Sequence, residues 1–195
     1  MQQLIEELIQ KQQLNVVPLA LTNLPIYKSS LEHLKLFLSS LQQTKDLRFT
    51  ILTDLFAADF LNRSKRFEVT YNLLSLKLNK RLLVRIELCE DTIVPSITKI
   101  FSAACWYERE IYDMFGISFS GNHDHRRILT DYDFVGHPLR KDFPLTGYVQ
   151  VKYDELLQKV VYEPVKLEQE YREFDFTSNW QGPNYVLPGD EKANK

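Results

Sequence analysis

Cysteine is nearly absent from this chain: Cys89 and Cys105 stand alone and far apart. Two thiols build neither a disulfide framework nor a four-thiolate iron–sulfur site, and such sparse usage points to a reducing compartment. Glycine and proline are also few and scattered, at 6 and 8 of 195 residues, so no low-complexity linker is present. No apolar run approaches the roughly 20 residues that span a bilayer. The formal charge of −2 gives no global field to attract nucleic acid or anionic lipid. The first residues, "MQQLIEELIQKQQ", carry Glu6 and Glu7, no arginine and no unbroken apolar core. They are expected to be neither a transit nor a signal peptide.

What remains is globular in composition, with 44% hydrophobic and 12% aromatic residues. Leu4, Ile5, Leu8 and Ile9 share a helical face. Ser29 and Glu32 have capping-box spacing ahead of Leu31, Leu34, Phe37, Leu38 and Leu41, which predicts a second helix. Residues 47–52 alternate as a half-buried strand, with Leu47, Phe49 and Ile51 on one side. Two further strands are expected to turn near Asn79, with Val84, Ile86 and Leu88 alternating on the return. A third helix is predicted over 92–115, stopped by Gly116 in a left-handed cap. The expected fold is α+β: a single domain over 1–120 with helices on a mixed, largely antiparallel sheet. Residues 121–153 would brace that domain, and 154–195 would form an extended arm on neighbouring subunits.

No candidate catalytic constellation stands out. Gly-x-Ser-x-Gly, GxGxxG and Walker patterns are all missing. In "WYEREIYDMFG", residues 106–116, Glu110 and Asp113 fall on one helical face. Two near carboxylates can do acid–base work, yet the density of Arg109, Arg126, Arg127 and Arg140 favours ion pairing. His123 and His125, with Asp124 between them and His137 further on, raise a metal site as an alternative, weakened by the absence of any HExxH helix. The stretch "RRILTDYDFVGHPLRKDFPL", residues 126–145, is too charged for a buried strand and too apolar for a solvated loop. Its X-Pro steps make it a stiff strap, suited either to docking on another protein or to clamping its own sheet.

Those same residues carry a resemblance. "EREIYDMFGISF", then the strap, then "GYVQV" resemble the 30 kDa subunit of respiratory complex I, NADH:ubiquinone oxidoreductase. The likeness is closest over 106–153 and looser through "RFEVTYNLLS". It implies a core structural subunit of the hydrophilic arm, bearing no flavin, metal or cluster of its own, with flavin and iron–sulfur clusters in partner subunits; the equivalent subunit of a related quinone-reducing or hydrogenase complex is the alternative. Its expected partners are the quinone-site subunit and adjacent iron–sulfur subunits. Glu108, Arg109, Glu110 and Asp113 match one signature block. Arg126, Arg127, Asp131, His137, Pro138, Arg140, Lys141, Asp142 and Pro144 match the second, all as signature and interface residues. The chain departs from the family at Asn122, His123 and His125, and at Asp133, where a glycine is usual. The resemblance of 131–154 to mitochondrial relatives implies the matrix side of the mitochondrial inner membrane, with the cytoplasmic face of a bacterial membrane as the alternative.

Overall fold

The structure, a computed structural model, describes residues 1–19, 24–167 and 169. It divides into two compact units, Met1–Gly147 and Tyr148–Lys195. In the first, β1 (Val16–Leu19), β2 (Ile26–Ser29), β3 (Ile51–Asp59), β4 (Phe67–Ser75) and β5 (Lys80–Leu88) form one sheet in the order β1-β2-β5-β4-β3. Only the β2–β5 pairing is parallel, so the sheet is mixed and largely antiparallel as expected. The register aligns Leu55, Tyr71, Val84 and Tyr27 in one buried row. That row packs with Phe37, Leu38 and Leu41 of α2 (Leu34–Gln43), Ile111, Met114 and Phe115 of α3 (Ala104–Phe115), and Ile5 of α1 (Gln2–Lys11). The opposite row, Phe56, Thr70, Arg85 and Lys28, ends in half-exposed charges. A period of two thus sends apolar side chains to the helices and polar ones away. Truncating a fully buried aromatic such as Phe37 to alanine removes about 3–5 kcal/mol from a core of this kind.

The turn at Asn79 is present, with a positive φ of 48° between β4 and β5. Three local expectations give way to tertiary pairing. Ser29 is the last residue of β2, buried opposite Val16, and its hydroxyl donates to the Ser30 carbonyl at 3.0 Å. No capping box forms, and α2 starts later, at Leu34, after His33. Leu47 and Phe49 are fully buried, but they precede the strand, and Ile51 points outward at 36% exposure. The turn at Arg48 (φ 44°) and a register shift between Leu52 and Asp54 break the alternation. The helix expected from residue 92 begins only at Ala104. Before it, the short strand β6 (Val94–Pro95) pairs with β7 (Phe119–Ser120). Pro95 cannot donate within a helix, and the Ile97 amide is taken by the Glu108 side chain instead.

In the second unit, β8 (Val149–Asp154) and β9 (Lys159–Pro164) form an antiparallel hairpin. A cut after Tyr153 would therefore split β8, whose last residue is Asp154. Most of the expected arm, residues 168 and 170–195, lies outside the described residues.

Candidate functional site

Helix α3 ends where Gly116 adopts φ 75° and its N–H reaches the Tyr112 carbonyl at 2.8 Å. A Cβ at Gly116 would stand 2.6 Å from both the His137 ring and the Arg140 guanidinium. Only glycine meets both the left-handed backbone and this close approach. The last carbonyls of a helix have no partner within it. Here the strap supplies them in succession. His137 Nδ1 lies 3.0 Å from the Asp113 carbonyl, the Leu139 amide donates to Met114 at 3.0 Å, and Arg140 Nε donates to Phe115 at 2.6 Å. The Arg140 charge also complements the negative end of the helix. A carbonyl only accepts, so Nδ1 of His137 carries the proton. Burial lowers the pKa of this imidazole against that hydrogen bond, and the Arg140 and Arg127 charges add to the lowering. Tyr112 holds the ring edge-on at 5.9 Å.

Three charged residues of α3 are buried and fix the loop that leads into the strap. Asp113, 0% exposed, accepts the amides of Ile128 (3.0 Å), Leu129 (2.7 Å) and Thr130 (3.0 Å) on Oδ2. Its Oδ1 takes Arg127 Nη1 at 2.8 Å and the Thr130 hydroxyl. Burial pushes this carboxyl up, but the Thr130 hydroxyl and the three amides outweigh it and hold it far below the usual carboxylate range. Arg109 donates from Nε to the Arg126 carbonyl (2.8 Å) and from Nη2 to that of Arg127 (3.2 Å). It also pairs with Asp124 at 3.2 Å. Glu108, 1% exposed, accepts the Ile97 amide (2.8 Å) and Asn122 Nδ2 (3.0 Å). Burial dominates here and raises its pKa, against the hydrogen bonds from Ile97, Ser96 and Asn122.

A third set of bonds lies at the end of the sheet. The Asp59 carboxylate takes Arg66 through two bonds of 2.8 and 2.9 Å and the Lys141 amide at 2.8 Å. Arg66 reaches on to Asp142 (2.8 Å) and Glu90 (3.1 Å), and Arg140 meets the same Glu90 oxygen at 2.9 Å. The strap is therefore held to its own domain at three places: the buried Arg109 and Asp113 of α3, the carbonyls at the C-terminus of that helix, and the Asp59–Arg66 pair.

The expected pairing of Asp113 with arginine is present. That of Glu110 is not: its side chain is exposed, and among the described residues it forms no ion pair with an arginine. Arg126 bonds Asp124 through two nitrogens instead of reaching α3. Asp131 is exposed, with its carbonyl accepting the Phe134 amide at 3.0 Å. Pro138 and Pro144 are half-buried within the strap, and Pro144 closes a turn by accepting the Gly147 amide at 2.9 Å. Lys141 contributes its amide rather than its ammonium. The three histidines are not brought together. His123 and His125 are exposed on the loop, His137 faces α3, and no metal-ligating group of three forms among the described residues. Asn122, a departure from the family pattern, is the buried partner of Glu108. Asp133 needs no positive φ; Gly136 supplies it at 100°. Asp59 and Glu90 belong to no quoted stretch, and Arg66 only opens the loosely matching "RFEVTYNLLS"; the one further signal was an acid at the apolar end of "TDLFAADF".

Residues 28–149 match the family described as respiratory-chain NADH dehydrogenase, 30 Kd subunit. Among curated proteins, the chain is 60% identical over 190 residues to an NADH-quinone oxidoreductase subunit of Rickettsia felis, covering 97% of this chain and 92% of that one. It is 58% identical over 156 residues to the identically named protein of Brucella ovis, covering 80% and 77%. Among solved structures, a chain of an archaeal respiratory membrane complex, the membrane-bound sulfane sulfur reductase, superposes with TM-score 0.63 at 22% identity. That match covers 74% of this chain and 85% of the other, and is a likeness of fold.

Proposed function

This chain belongs to the respiratory-chain NADH dehydrogenase 30 kDa subunit family, and from that premise we propose that it is a structural subunit of the peripheral arm of an NADH-quinone oxidoreductase complex. Electron transfer from NADH to quinone is then the activity of the assembly, and other subunits are its partners.

The observation that carries a supporting role is the polarity of the strap. Arg127, His137, Arg140 and Asp142 turn their polar side chains to their own domain, while Leu129 (62% exposed), Tyr132 (75%), Val135 (80%) and Leu145 (86%) are left outward. That inverts an ordinary solvated loop and suits a surface covered by protein. The signature residues Arg127, His137 and Arg140 hold this surface in shape from behind. The quinone-site subunit and adjacent iron–sulfur subunits are the partners that the family resemblance supports. Flavin and clusters are assigned to those partners, since two separated cysteines cannot ligate a cluster. On this reading attachment to the membrane runs through the complex; no helix of the described residues is long and apolar enough to cross a membrane. The bacterial relatives support the cytoplasmic face of a bacterial membrane; matrix-side mitochondrial placement rests on the resemblance of 131–154.

The test is purification of the tagged full-length chain from membranes in mild detergent. Stoichiometric recovery with the other subunits, and with NADH:quinone reductase activity, is expected. Recovery of the chain alone, with no such activity in the bound fraction, would refute the reading.

A further inference from the structure

The β8–β9 hairpin has an unusually clean division of its two faces. Its register sets Val149 opposite Pro164, Val151 opposite Tyr162 and Tyr153 opposite Val160. Alternation then puts these six apolar residues on one face with no charge among them. Gln150, Lys152, Asp154, Lys159, Val161 and Glu163 occupy the other. The polar face has its own bond, Gln150 Nε2 to Glu163 at 2.6 Å. The turn is set as well, with Asp154 Oδ1 accepting the amides of Leu156 and Leu157 at 2.9 and 3.0 Å. Among the described residues the apolar face is open: Val149, Val151, Tyr153 and Val160 are each 55–58% exposed. At the tip, Leu156 is 95% exposed.

An isolated two-stranded hairpin is marginal in water, and burying one face against a further layer is what makes it persist. We propose that the apolar face of β8–β9 is a docking surface for an apolar patch on a neighbouring subunit of the same complex, a subunit already held by other contacts. This rests on the functional reading above and extends it to a surface that contains none of the signature residues.

The size of the face selects this occupant. Six residues along two strands, at about 3.3 Å rise and about 4.8 Å spacing, offer on the order of 200–300 Å². A self-standing protein interface needs about 800 Å² per partner. A second copy docking through this face alone would therefore be too weakly held, whereas a contact added to an existing assembly needs no such area. Lipid is disfavoured by charge. Lys152 and Lys159 on the polar face are balanced by Asp154 and Glu163, leaving no basic stripe for an anionic surface.

The experiment compares full-length V151K/V160K, which charges the apolar face, with K152Q/K159Q, which alters only the polar one. Both are expressed in cells lacking the native copy of the chain. V151K/V160K is expected to lower the amount of chain in the assembled complex at least tenfold, and K152Q/K159Q to leave it unchanged. Misfolding of the variant is covered by a second measurement on the unmutated chain. Hydrogen exchange at the amides of 149–164 should slow at least a hundredfold on going from the free chain to the complex. Incorporation of V151K/V160K at the unmutated level, or equal exchange in the two states, overturns the proposal. So does concentration-dependent dimerisation of the free chain that V151K/V160K abolishes, or its sedimentation with phosphatidylglycerol vesicles, since these name a second copy or lipid as the occupant. Failure of the unmutated chain to join any NADH-quinone oxidoreductase assembly refutes the functional reading itself. Failure of the variant comparison alone refutes only the hairpin surface.

Discussion

The strap of residues 126–145 has almost no regular structure and many bonds to the rest of its unit; the β8–β9 hairpin has regular structure, held among the described residues chiefly by its own ladder. In the strap, Arg127, His137, Leu139, Arg140, Lys141 and Asp142 each engage a group on α3 or at the sheet end. Leu129, Tyr132, Val135 and Leu145 are left over, and they are exposed. In the hairpin, the polar side chains serve the ladder and the turn, and the apolar ones occupy one exposed face. Regularity is thus a poor guide to autonomy. An irregular segment is ordered by its own domain when its hydrogen-bonding groups find buried partners there, and a strand pair without a layer beneath it depends on something else.

The comparison breaks most visibly at Asp113. Replacement by alanine leaves three amides and the Arg127 guanidinium without their acceptor in a buried site. A loss of about 3–5 kcal/mol is expected from the unfolding free energy of the free chain, read by urea denaturation. A loss under about 1 kcal/mol, the scale of an exposed pair, would mean the strap is not held through this carboxylate. Gly116→Ala should cost less, about 1–2 kcal/mol for the left-handed backbone, and should also displace His137 and Arg140. Faster exchange at the Leu139 amide, with the β4–β5 ladder unchanged, is the expected signature.

The effect of pH is smaller and its sign follows from His137. Its folded pKa lies below the ordinary value near 6.5, so the folded chain binds fewer protons than the unfolded one. The contribution is complete above about pH 6.5 and is lost as pH falls from there toward the lowered folded pKa. A stability profile from about pH 7.5 to about pH 5 should decline, and His137→Asn should flatten it. An equal slope in both proteins would remove the imidazole from the account. The smallest effect belongs to Arg126→Ala, whose ion pair with Asp124 is at the surface. No change in the thermal midpoint is expected beyond scatter; a clear fall would show that exposed pairs, too, hold the strap.

What could be read from the sequence depended on how far away each partner lay. Gly116 and Asn79 were readable because a cap and a tight turn are settled within a few residues. The arginine for Asp113 was readable because Arg127 is near in sequence and the charge match is plain. Glu110 misled because spacing of three gives neighbours on a helix but does not say which of them meets the loop. Ser29 misled because its competing partner was the β1 strand. The Asp59–Lys141 bond joins residues 82 apart in the chain, and no local pattern announces such a contact.

Hydrogen exchange on the free full-length chain tests the difference between the two regions most directly. The amides of Ile128, Leu129, Thr130, Leu139 and Lys141 in the strap should be protected nearly as well as the β4–β5 ladder, while those of β8 and β9 exchange orders of magnitude faster. Strap amides that exchange as fast as the hairpin's in the free chain, and slow only in the complex, would contradict it.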